Sequence, residues 1–318
     1  MKFKKPKFWD YKKPNIFAYL LIPLNLIFWV SNIILNIKPK KKYQNIKTIC
    51  VGNIYVGGTG KTPTVLKLYE IFKNTKLKVS TAKKFYSNQE DENIILKNRS
   101  EFITSDNRQK IVQKAIEENY DLLIFDDGLQ DRQINYDFKL VCFDAENWIG
   151  NGFLIPSGPL REKVESLKKY DAVIIKNISK KFDQNEICQS INKINSKIKI
   201  FNSFFIIKNK EEFNLTDKFL IFSGIGNNYS FKKILVENNF SIAEEIAFPD
   251  HFIYKPQDIL KLLKIAENKN IKIITTEKDY VKIPENLRKK INFIKIDLEI
   301  FEQNQLKELI ESKINEIN

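Results

Sequence analysis

Hydrophobic positions follow two different patterns along the chain. An apolar run at residues 16–37 stands between two clusters of lysine, and short apolar runs alternate with amphipathic stretches from Lys47 onward. Most of the short runs lack the period-2 alternation of a half-exposed sheet, which indicates strands buried on both faces. Such strands are predicted at residues 48–51, 77–81, 122–125, 140–143 and 172–175.

Segments whose apolar residues have the spacing of an α-helix lie between these strands, for example at residues 61–72 and 108–118. Alternating strands and helices predict an α/β fold, with a layered sheet and helices on both faces. The alternation restarts at residues 219–223, and a last helix is predicted at residues 303–314. We therefore predict an anchoring segment at residues 1–42, a core at 43–180, and a smaller α/β lobe at 181–318 that contributes to a shared cleft.

The apolar run at residues 16–37 is long enough, as a helix, to cross a bilayer. Pro23 interrupts it, Asn25, Asn32 and Asn36 fall on one helical face, and both flanks are basic. These features favour a helix that lies in the membrane interface, with lysines on anionic headgroups, over a transmembrane span. A helix packed on the protein's own core is the alternative.

Composition points to an anionic partner. The formal net charge is +14, from 53 Lys and Arg against 39 Asp and Glu. Phosphate and anionic lipid fit this charge, whereas nucleic acid is not predicted because RNA-binding, zinc-finger and basic-zipper motifs are missing. Cys50, Cys142 and Cys188 are far apart in the sequence, which indicates reduced thiols and neither a disulfide framework nor a metal site.

A glycine-rich loop follows the first predicted strand at residues 52–63. Tyr55 stands where the strict P-loop pattern has glycine, so the loop is a variant. Its glycines let backbone N–H groups face phosphates at the start of a helix. Lys61 would neutralise the β- and γ-phosphates of a nucleotide, and Thr62 would bind Mg²⁺. The predicted nucleotide-binding residues are Gly57, Gly58, Thr59, Gly60, Lys61 and Thr62.

Three further segments carry candidate chemistry. Asp126 and Asp127 follow a predicted buried strand. Carboxylates at this end of a strand face the ligand crevice of an α/β sheet and can hold Mg²⁺. The alternative is a turn that is capped by an Asp side chain. A Gly- and Pro-rich loop ends at Arg161, which could clamp a phosphate or form a structural salt bridge. The sole histidine, His251, follows Pro-Asp at an element boundary, although a lone histidine is more often structural.

In this order, the motifs resemble those of the tetraacyldisaccharide 4'-kinase family, the lipid A 4'-kinases. The resemblance implies ATP, Mg²⁺ and phosphorylation of the 4'-hydroxyl of a tetraacylated glucosamine disaccharide 1-phosphate. It also implies a peripheral, monotopic enzyme on the cytoplasmic face of the bacterial inner membrane. The matching motifs lie at residues 52–63, 126–130, 150–162, 223–227, 248–251 and 275–282.

The resemblance also implies roles for individual residues. An Asp in an acidic motif of the family pairs with the His of a Pro-Asp-His motif to activate the sugar hydroxyl. Residues 89–96 resemble that acidic motif. The implied catalytic residues are Asp91, His251, Lys61 and Arg161, and the implied metal-binding residues are Thr62, Asp126, Asp127, Glu92 and Glu162.

The chain departs from the family pattern at several positions. Residues 82–86 replace Ser-Arg-Gly-Tyr and contain no arginine, and the segment before Asp91 is short. Asp131 stands in place of a histidine, and Lys163 in place of a proline. These changes keep open an altered acceptor or a degraded enzyme. The rival functions are a membrane-associated P-loop ATPase switch without a lipid acceptor, and a non-catalytic lipid-binding protein.

Overall fold

An eight-stranded sheet and a four-stranded sheet form the frame of the computed structural model, which describes residues 5–25, 39–87, 90–177, 185–250 and 252–315. The strands are β1 (Lys47–Gly52), β2 (Val79–Lys84), β3 (Phe102–Ser105), β4 (Leu122–Asp126), β5 (Phe138–Asp144), β6 (Ala172–Asn177), β7 (Lys199–Ile207), β8 (Lys218–Ser223), β9 (Ser241–Ala247), β10 (Lys272–Thr276), β11 (Asn292–Ile294) and β12 (Ile296–Ile300). The α-helices are α1 (Ile16–Leu20), α2 (Lys61–Lys73), α3 (Glu90–Arg99), α4 (Arg108–Glu117), α5 (Asn185–Ile194), α6 (Asn228–Glu237), α7 (Pro256–Lys269), α8 (Glu277–Tyr280), α9 (Glu285–Arg288) and α10 (Gln303–Asn315).

The eight-stranded sheet has the order β12-β7-β6-β5-β1-β4-β2-β3. All neighbouring strands are parallel except the edge pair of β12 and β7. Parallel pairing of β1 with β4 sets Val51 opposite Asp126. The phosphate loop and the Asp-Asp motif therefore leave the sheet at the same edge, as expected for a ligand crevice.

Apolar side chains of the central strands alternate between two cores. Ile49 and Val51 of β1 belong to the core under α2 and α10, whereas Cys50 belongs to the core under α4 and α5. The strands are buried on both faces because helices cover both faces, which explains why their sequences lack period-2 alternation. The predicted α/β fold, with helices on both faces of the sheet, is confirmed.

The four-stranded sheet has the order β11-β10-β8-β9, and all its pairs are parallel. Phe231 and Leu235 of α6 pack on one face, and Ile259 and Leu262 of α7 pack on the other. This is the smaller α/β lobe that the sequence predicts.

The division of strands between the sheets differs from the predicted boundary at residue 180. Strands β7 and β12 pair with each other in the eight-stranded sheet, and α10 packs on that sheet, although all three follow residue 180. The chain therefore leaves the large sheet, forms the small lobe and returns. The exact domain limits stay a prediction, and we propose that the small lobe begins after β7 and ends with β11.

The N-terminal segment packs on the Gly- and Pro-rich loop. Trp9 is 1% exposed, and its indole N–H donates to the carbonyl oxygen of Pro156 at 3.0 Å. Ser157 Oγ lies 3.1 Å from Asn25 Oδ1. Among the residues that the structure describes, no helix is both long and apolar enough to cross a membrane. Residues 26–37 of the predicted interface helix lie outside the described ranges, so that helix stays a prediction.

Assignment of α10 to the large sheet predicts a stability effect. Leu306 in α10 is 0% exposed, whereas Leu260 in α7 is 52% exposed. Leu306→Ala should lower the free energy of unfolding by ~2–5 kcal/mol, because it removes buried apolar surface and leaves a cavity. Leu260→Ala, the matched control, should change it by less than ~0.5 kcal/mol. Chemical denaturation measures both, and equal effects would contradict the packing of α10.

Candidate active site

The phosphate loop joins β1 to α2 and needs glycine at two positions. Gly57 has φ +145° and Gly60 has φ +84°, a region of backbone conformation that side chains with a Cβ rarely adopt. Asn53 braces the loop from inside, since its amide nitrogen donates to Thr59 Oγ1 at 3.0 Å. The loop therefore runs directly into the start of α2, and the N-terminus of a helix suits a phosphate.

Thr62 and Asp126 meet at the end of the phosphate loop. Thr62 Oγ1 donates to Asp126 Oδ2 at 2.8 Å, and Asp126 is 0% exposed. The other carboxylate oxygen, Asp126 Oδ1, is buried and has no hydrogen-bond partner within the described ranges. A buried carboxylate oxygen without a donor is costly, and a cation beside it would remove that cost.

A hydroxyl and one carboxylate fit Mg²⁺ in a nucleotide site, because the ion takes its remaining ligands from phosphates and water. Across the part of the chain that the structure describes, no group of three or more His, Cys, Asp or Glu side chains could hold a metal by itself. Thr62 and Asp126 are therefore the residues that fit an ion brought with the nucleotide.

Lys83 is a fully buried cation between two carboxylates. Its Nζ lies 2.9 Å from Asp126 Oδ2 and also pairs with Glu92, while Lys83 is only 2% exposed. Burial alone would lower the pKa of Lys83, but the two carboxylates outweigh burial and raise it, so the lysine stays charged. Lys83 falls within residues 82–86, where the family pattern has arginine, and it keeps a cation in that segment.

The small lobe contributes a second, half-buried lysine. Lys278 of α8 has its Nζ 3.0 Å from Glu92 Oε1, 3.8 Å from Asp91 Oδ2 and 3.9 Å from Asp250 Oδ1. Burial would lower the pKa of Lys278, but Glu92, Asp91 and Asp250 raise it. Lys282 lies 3.8 Å from Asp91 Oδ2. Two lysines of the small lobe thus hold carboxylates of α3, which belongs to the large sheet.

Glu92 is held on both sides by lysine. Burial would raise its pKa, but Lys278 and Lys83 lower it far below the usual range of a glutamate. The carboxylate is therefore ionised, as a metal ligand must be. Both its oxygens are paired with ammonium groups, Oε1 with Lys278 and Oε2 with Lys83, so metal binding by Glu92 would require a lysine to move.

Asp279 fixes the loops of the small lobe that face the phosphate loop. Its carboxylate accepts from the backbone N–H of Gly224 at 2.9 Å and from the hydroxyl of Tyr254 at 3.0 Å. A Cβ added to Gly226 would lie 3.7 Å from the backbone nitrogen of Gly58. The loop at residues 224–227 therefore lies next to the phosphate loop.

Arg161 faces Asp127 from the Gly- and Pro-rich loop. Its Nη1 lies 3.0 Å from Asp127 Oδ1, and Lys61 Nζ lies 3.9 Å from the same oxygen. Burial would raise the pKa of Asp127, but Lys61 and Arg161 lower it. Both cations therefore lie beside the phosphate loop, on the same carboxylate. Asp127 is the protein group that pairs with both Lys61 and Arg161.

Glu162 lies further along the same loop. Its Oε1 accepts from Gln130 Nε2 at 2.8 Å, and its Oε2 accepts from the Tyr170 hydroxyl at 2.9 Å. These bonds tie the loop to the Asp-Asp-Gly-Leu-Gln motif, because Gln130 also donates to the carbonyl oxygen of Asn53 at 2.9 Å. Metal binding by Glu162 stays a prediction, since both its oxygens already accept hydrogen bonds from protein groups.

The chain matches a known protein family and several of its members. The family model described as tetraacyldisaccharide-1-P 4'-kinase matches residues 17–315. The chain belongs to this family. The tetraacyldisaccharide 4'-kinase of Pelagibacter ubique is 43% identical over 322 aligned positions that cover 100% of both chains. That of Rickettsia akari is 33% identical and covers 98% of each chain. The resemblance seen in the sequence motifs is thereby confirmed.

A solved structure shares the fold. The crystal structure of an LpxK from Aquifex aeolicus in complex with ATP aligns with a TM-score of 0.69 and 20% identity, and covers 94% of this chain and 100% of that one. The kinase family therefore keeps the two-lobed architecture at low sequence identity.

In this family member, most of the predicted site residues lie in one connected region. Contacts of 3.9 Å or less join Lys61 and Arg161 to Asp127, and Thr62 and Lys83 to Asp126, the sequence neighbour of Asp127. Lys83 and Lys278 extend the second group to Glu92 and Asp91. His251 lies outside the described residues. The roles of all these residues stay predictions.

The family departure at Asp131 has a structural explanation. Its Oδ2 accepts from the backbone N–H of Ile134 at 2.9 Å and of Gln133 at 3.2 Å, and its Oδ1 lies 3.5 Å from Arg108 Nη1. The carboxylate thus closes the turn after the Asp-Asp-Gly-Leu-Gln motif and pairs with a buried arginine.

The cross-lobe lysine generates a prediction. Lys278→Met should lower kcat by ~10-fold or more, because the buried Asp91 and the half-buried Glu92 lose a cation that the small lobe supplies. Lys290→Met removes an exposed lysine of the same lobe and should leave kcat within ~2-fold. ATP-dependent phosphate transfer to the lipid disaccharide measures both, and an unaffected kcat in Lys278→Met would contradict a role for this lysine.

Proposed function

We propose that this family member transfers the γ-phosphate of ATP to the 4'-hydroxyl of tetraacyldisaccharide 1-phosphate, a lipid A precursor. The hydroxyl oxygen bonds to the γ-phosphorus, the bond to the β-phosphate oxygen breaks, and ADP leaves. The observation that carries this proposal is the pairing of Thr62 with the half-satisfied carboxylate of Asp126 at the end of a phosphate loop. Family membership supplies the acceptor.

The phosphate loop and its cations are proposed to bind and polarise ATP. Backbone N–H groups from Gly57 to Thr62 would hold the β- and γ-phosphates, and Lys61 and Arg161 would offset the charge on the transferring group. Mg²⁺ at Thr62 and Asp126 would supply further positive charge. Asp127 pairs with both cations.

Asp91, together with His251, is proposed to accept the proton of the sugar hydroxyl. Asp91 is 4% exposed and lies 3.8 Å from both Lys278 Nζ and Lys282 Nζ. His251 directly follows Asp250, whose Oδ1 is 3.9 Å from Lys278 Nζ. The proposed pairing of His251 with Asp91 rests on the family resemblance, and Asp250 reaches the same lysine as Asp91.

A P-loop ATPase switch without a lipid acceptor is not favoured. It would leave the small lobe without a role, although the family match extends through residue 315 and the lobe supplies Lys278 and Lys282 to the carboxylates of α3.

Transfer itself tests the proposal. Purified enzyme with ATP, Mg²⁺ and tetraacyldisaccharide 1-phosphate in detergent should form a bisphosphorylated lipid and ADP in equal amounts. Turnover of ATP without lipid should be much slower. Lys61→Ala should reduce transfer by ~10²-fold or more, because the transferring phosphoryl group loses a preorganised cation. Hydrolysis of ATP at the same rate with and without the lipid would contradict the proposal that the enzyme is a lipid kinase.

The proposed proton acceptors generate a second prediction. Asp91→Asn and His251→Ala should each lower kcat by ~10²-fold or more and leave the affinity for ATP nearly unchanged, since general-base assistance acts in the transition state. The double variant should be little worse than either single variant, because paired groups act as a unit. Multiplicative losses would argue against a pair, and a fully active Asp91→Asn would remove this aspartate from the chemistry.

We also propose an anionic membrane surface as a partner, at the cytoplasmic face of the bacterial inner membrane. Ile16, Phe17 and Leu20 of α1 are 70%, 61% and 69% exposed. Contiguous exposed apolar side chains are costly in water and suit an interface. Lysines at residues 2–13 and 38–42 flank the segment and would lie near anionic headgroups.

Membrane binding has a test that keeps the buried Trp9 intact. Changing Ile16, Phe17 and Leu20 together to Gln should weaken binding to vesicles containing anionic phospholipid by ~10-fold or more, because apolar insertion is lost. The matched control changes Val236, Ile253 and Leu260, which are also more than half exposed, to Gln and should bind normally. Cosedimentation measures both, and equal binding by the two variants would contradict an anchor at α1.

A further inference from the structure

A buried ion pair of the large sheet lies beside the phosphate loop. Lys176 of β6 is 3% exposed and Asp144 of β5 is 2% exposed, and the Lys176 ammonium pairs with the Asp144 carboxylate. The two residues are opposite each other in the parallel pairing of β5 with β6. A buried ion pair is seldom worth more to stability than apolar side chains of the same volume. The place of this pair in the fold therefore calls for an explanation other than stability.

The methylene stem of Lys176 lies against Gly60 of the phosphate loop. A Cβ added to Gly60 would lie 3.3 Å from Lys176 Cδ, 3.7 Å from its Cγ and 3.8 Å from its Cβ. Three successive carbons of one side chain therefore line the space beside the Gly60 backbone. Lys176 thus touches the loop with its apolar stem, while its charged end is held by Asp144.

Gly60 needs such a neighbour because it has no side chain of its own to pack. It caps α2 with φ +84° and directly precedes Lys61 and Thr62, the residues proposed to bind phosphate and Mg²⁺. Glycine loses more conformational freedom on ordering than any other residue. The stem of Lys176 supplies the packing that Gly60 lacks, at the point where the loop turns into the helix.

Two contacts fix the stem of Lys176. Asp144 Oδ1 accepts from the backbone N–H of Glu146 at 3.0 Å, which orients the carboxylate, and Asp144 Oδ2 pairs with the Lys176 ammonium. The ammonium also lies over the ring of Phe205 in β7, 5.1 Å from the ring centroid. Strands β5 and β7 flank β6, so the side chain is held from both neighbouring strands.

We propose that Lys176 is a positioning residue for ATP binding: its stem holds the Gly60 backbone in the conformation that receives the nucleotide's phosphates, and Asp144 holds the stem. The inference rests on the proposed function. A loop without this support has to be ordered when ATP binds, and the cost of ordering weakens the binding. Once ATP is bound, the loop is ordered with or without the stem, so the transfer step itself changes little.

The test shortens the stem in a background without the ion pair. A single substitution would leave one buried charge unpaired, so every Lys176 variant also carries Asp144→Asn. Lys176→Met keeps a side chain of similar length, Lys176→Val lacks the δ position, and Lys176→Ala keeps only Cβ. The control is Lys67→Ala, which shortens a partly buried lysine of the same helix, α2, whose Nζ lies 3.1 Å from Glu299 Oε2. Calorimetry without acceptor measures the Kd of ATP with Mg²⁺, and thermal unfolding without nucleotide measures stability.

The affinity for ATP should follow the length of the stem. The Met variant should bind ATP within ~2-fold of the wild-type enzyme, the Val variant ~3-fold more weakly and the Ala variant ~10-fold or more weakly, because the loop is ordered at the expense of binding. Lys67→Ala should lower the unfolding temperature and leave the Kd of ATP within ~2-fold, since it does not touch the phosphate loop. With saturating ATP, the kcat of the Ala variant should stay within ~3-fold of that of the Met variant, so that the loss is in the KM for ATP.

Two results would overturn the proposal. Equal ATP affinities in the Met, Val and Ala variants would show that the stem does not position the loop. A loss in the Met variant as large as that in the Ala variant would show that the charges of the pair matter and the stem does not. If the Ala variant does not fold, the Met and Val variants decide between the same outcomes. Failure of the proposed function is distinguishable, because the wild-type enzyme would then bind ATP in calorimetry and transfer no phosphate to the lipid.

Discussion

Charge balance among buried carboxylates is the constraint on which this structure depends. Asp126 and Asp91 are 0% and 4% exposed, and Glu92 lies between them. Carboxylates so close together in a poorly solvated site repel each other and tend to take up protons unless cations lie beside them. Lys83 supplies one cation from β2, and Lys278 and Lys282 supply two more from the small lobe. The charges of Asp91 and Glu92 are therefore fully balanced only while the two lobes are in contact.

The topology explains why the opposing charges converge. The carboxyl ends of β1, β2 and β4 lie at one edge of the large sheet, so the phosphate loop, Lys83 and Asp126 meet there. In the small lobe, α8 follows β10 directly and carries Lys278 and Lys282 to the same crevice. Asp279 holds the glycine loop of the small lobe against the phosphate loop. The phosphate loop, the buried carboxylates and the contact between the two lobes therefore lie in the same crevice.

Local sequence patterns predict the elements better than the pairing between them. Apolar runs located the five strands that form the middle of the large sheet, because a strand that is buried on both faces is a continuous run of apolar residues. They did not predict β7 or assign β12 to the large sheet, since strand pairing across about ninety residues has no local signature. The P-loop could be predicted from the sequence because its glycines and the Lys-Thr pair are adjacent in the chain.

Cations in the site were harder to predict. The loss of arginine in residues 82–86 looked like a departure from the family, yet Lys83 provides a buried cation in that segment. Lys278 lies within a recognised motif, but nothing local indicates that it pairs with α3 of the other lobe. Glu92 and Glu162 were predicted as metal ligands from resemblance alone, and their protein partners can be seen only in three dimensions.

A double-mutant cycle between the lobes tests the central claim of charge balance most directly. Glu92→Gln, Lys278→Gln and the double variant are compared by kcat for phosphate transfer. If the pair balances charge across the lobes, the double variant should be no slower than the slower single variant, with a coupling energy of ~1 kcal/mol or more. Losses that simply multiply would mean that the two side chains act independently, and would contradict the account.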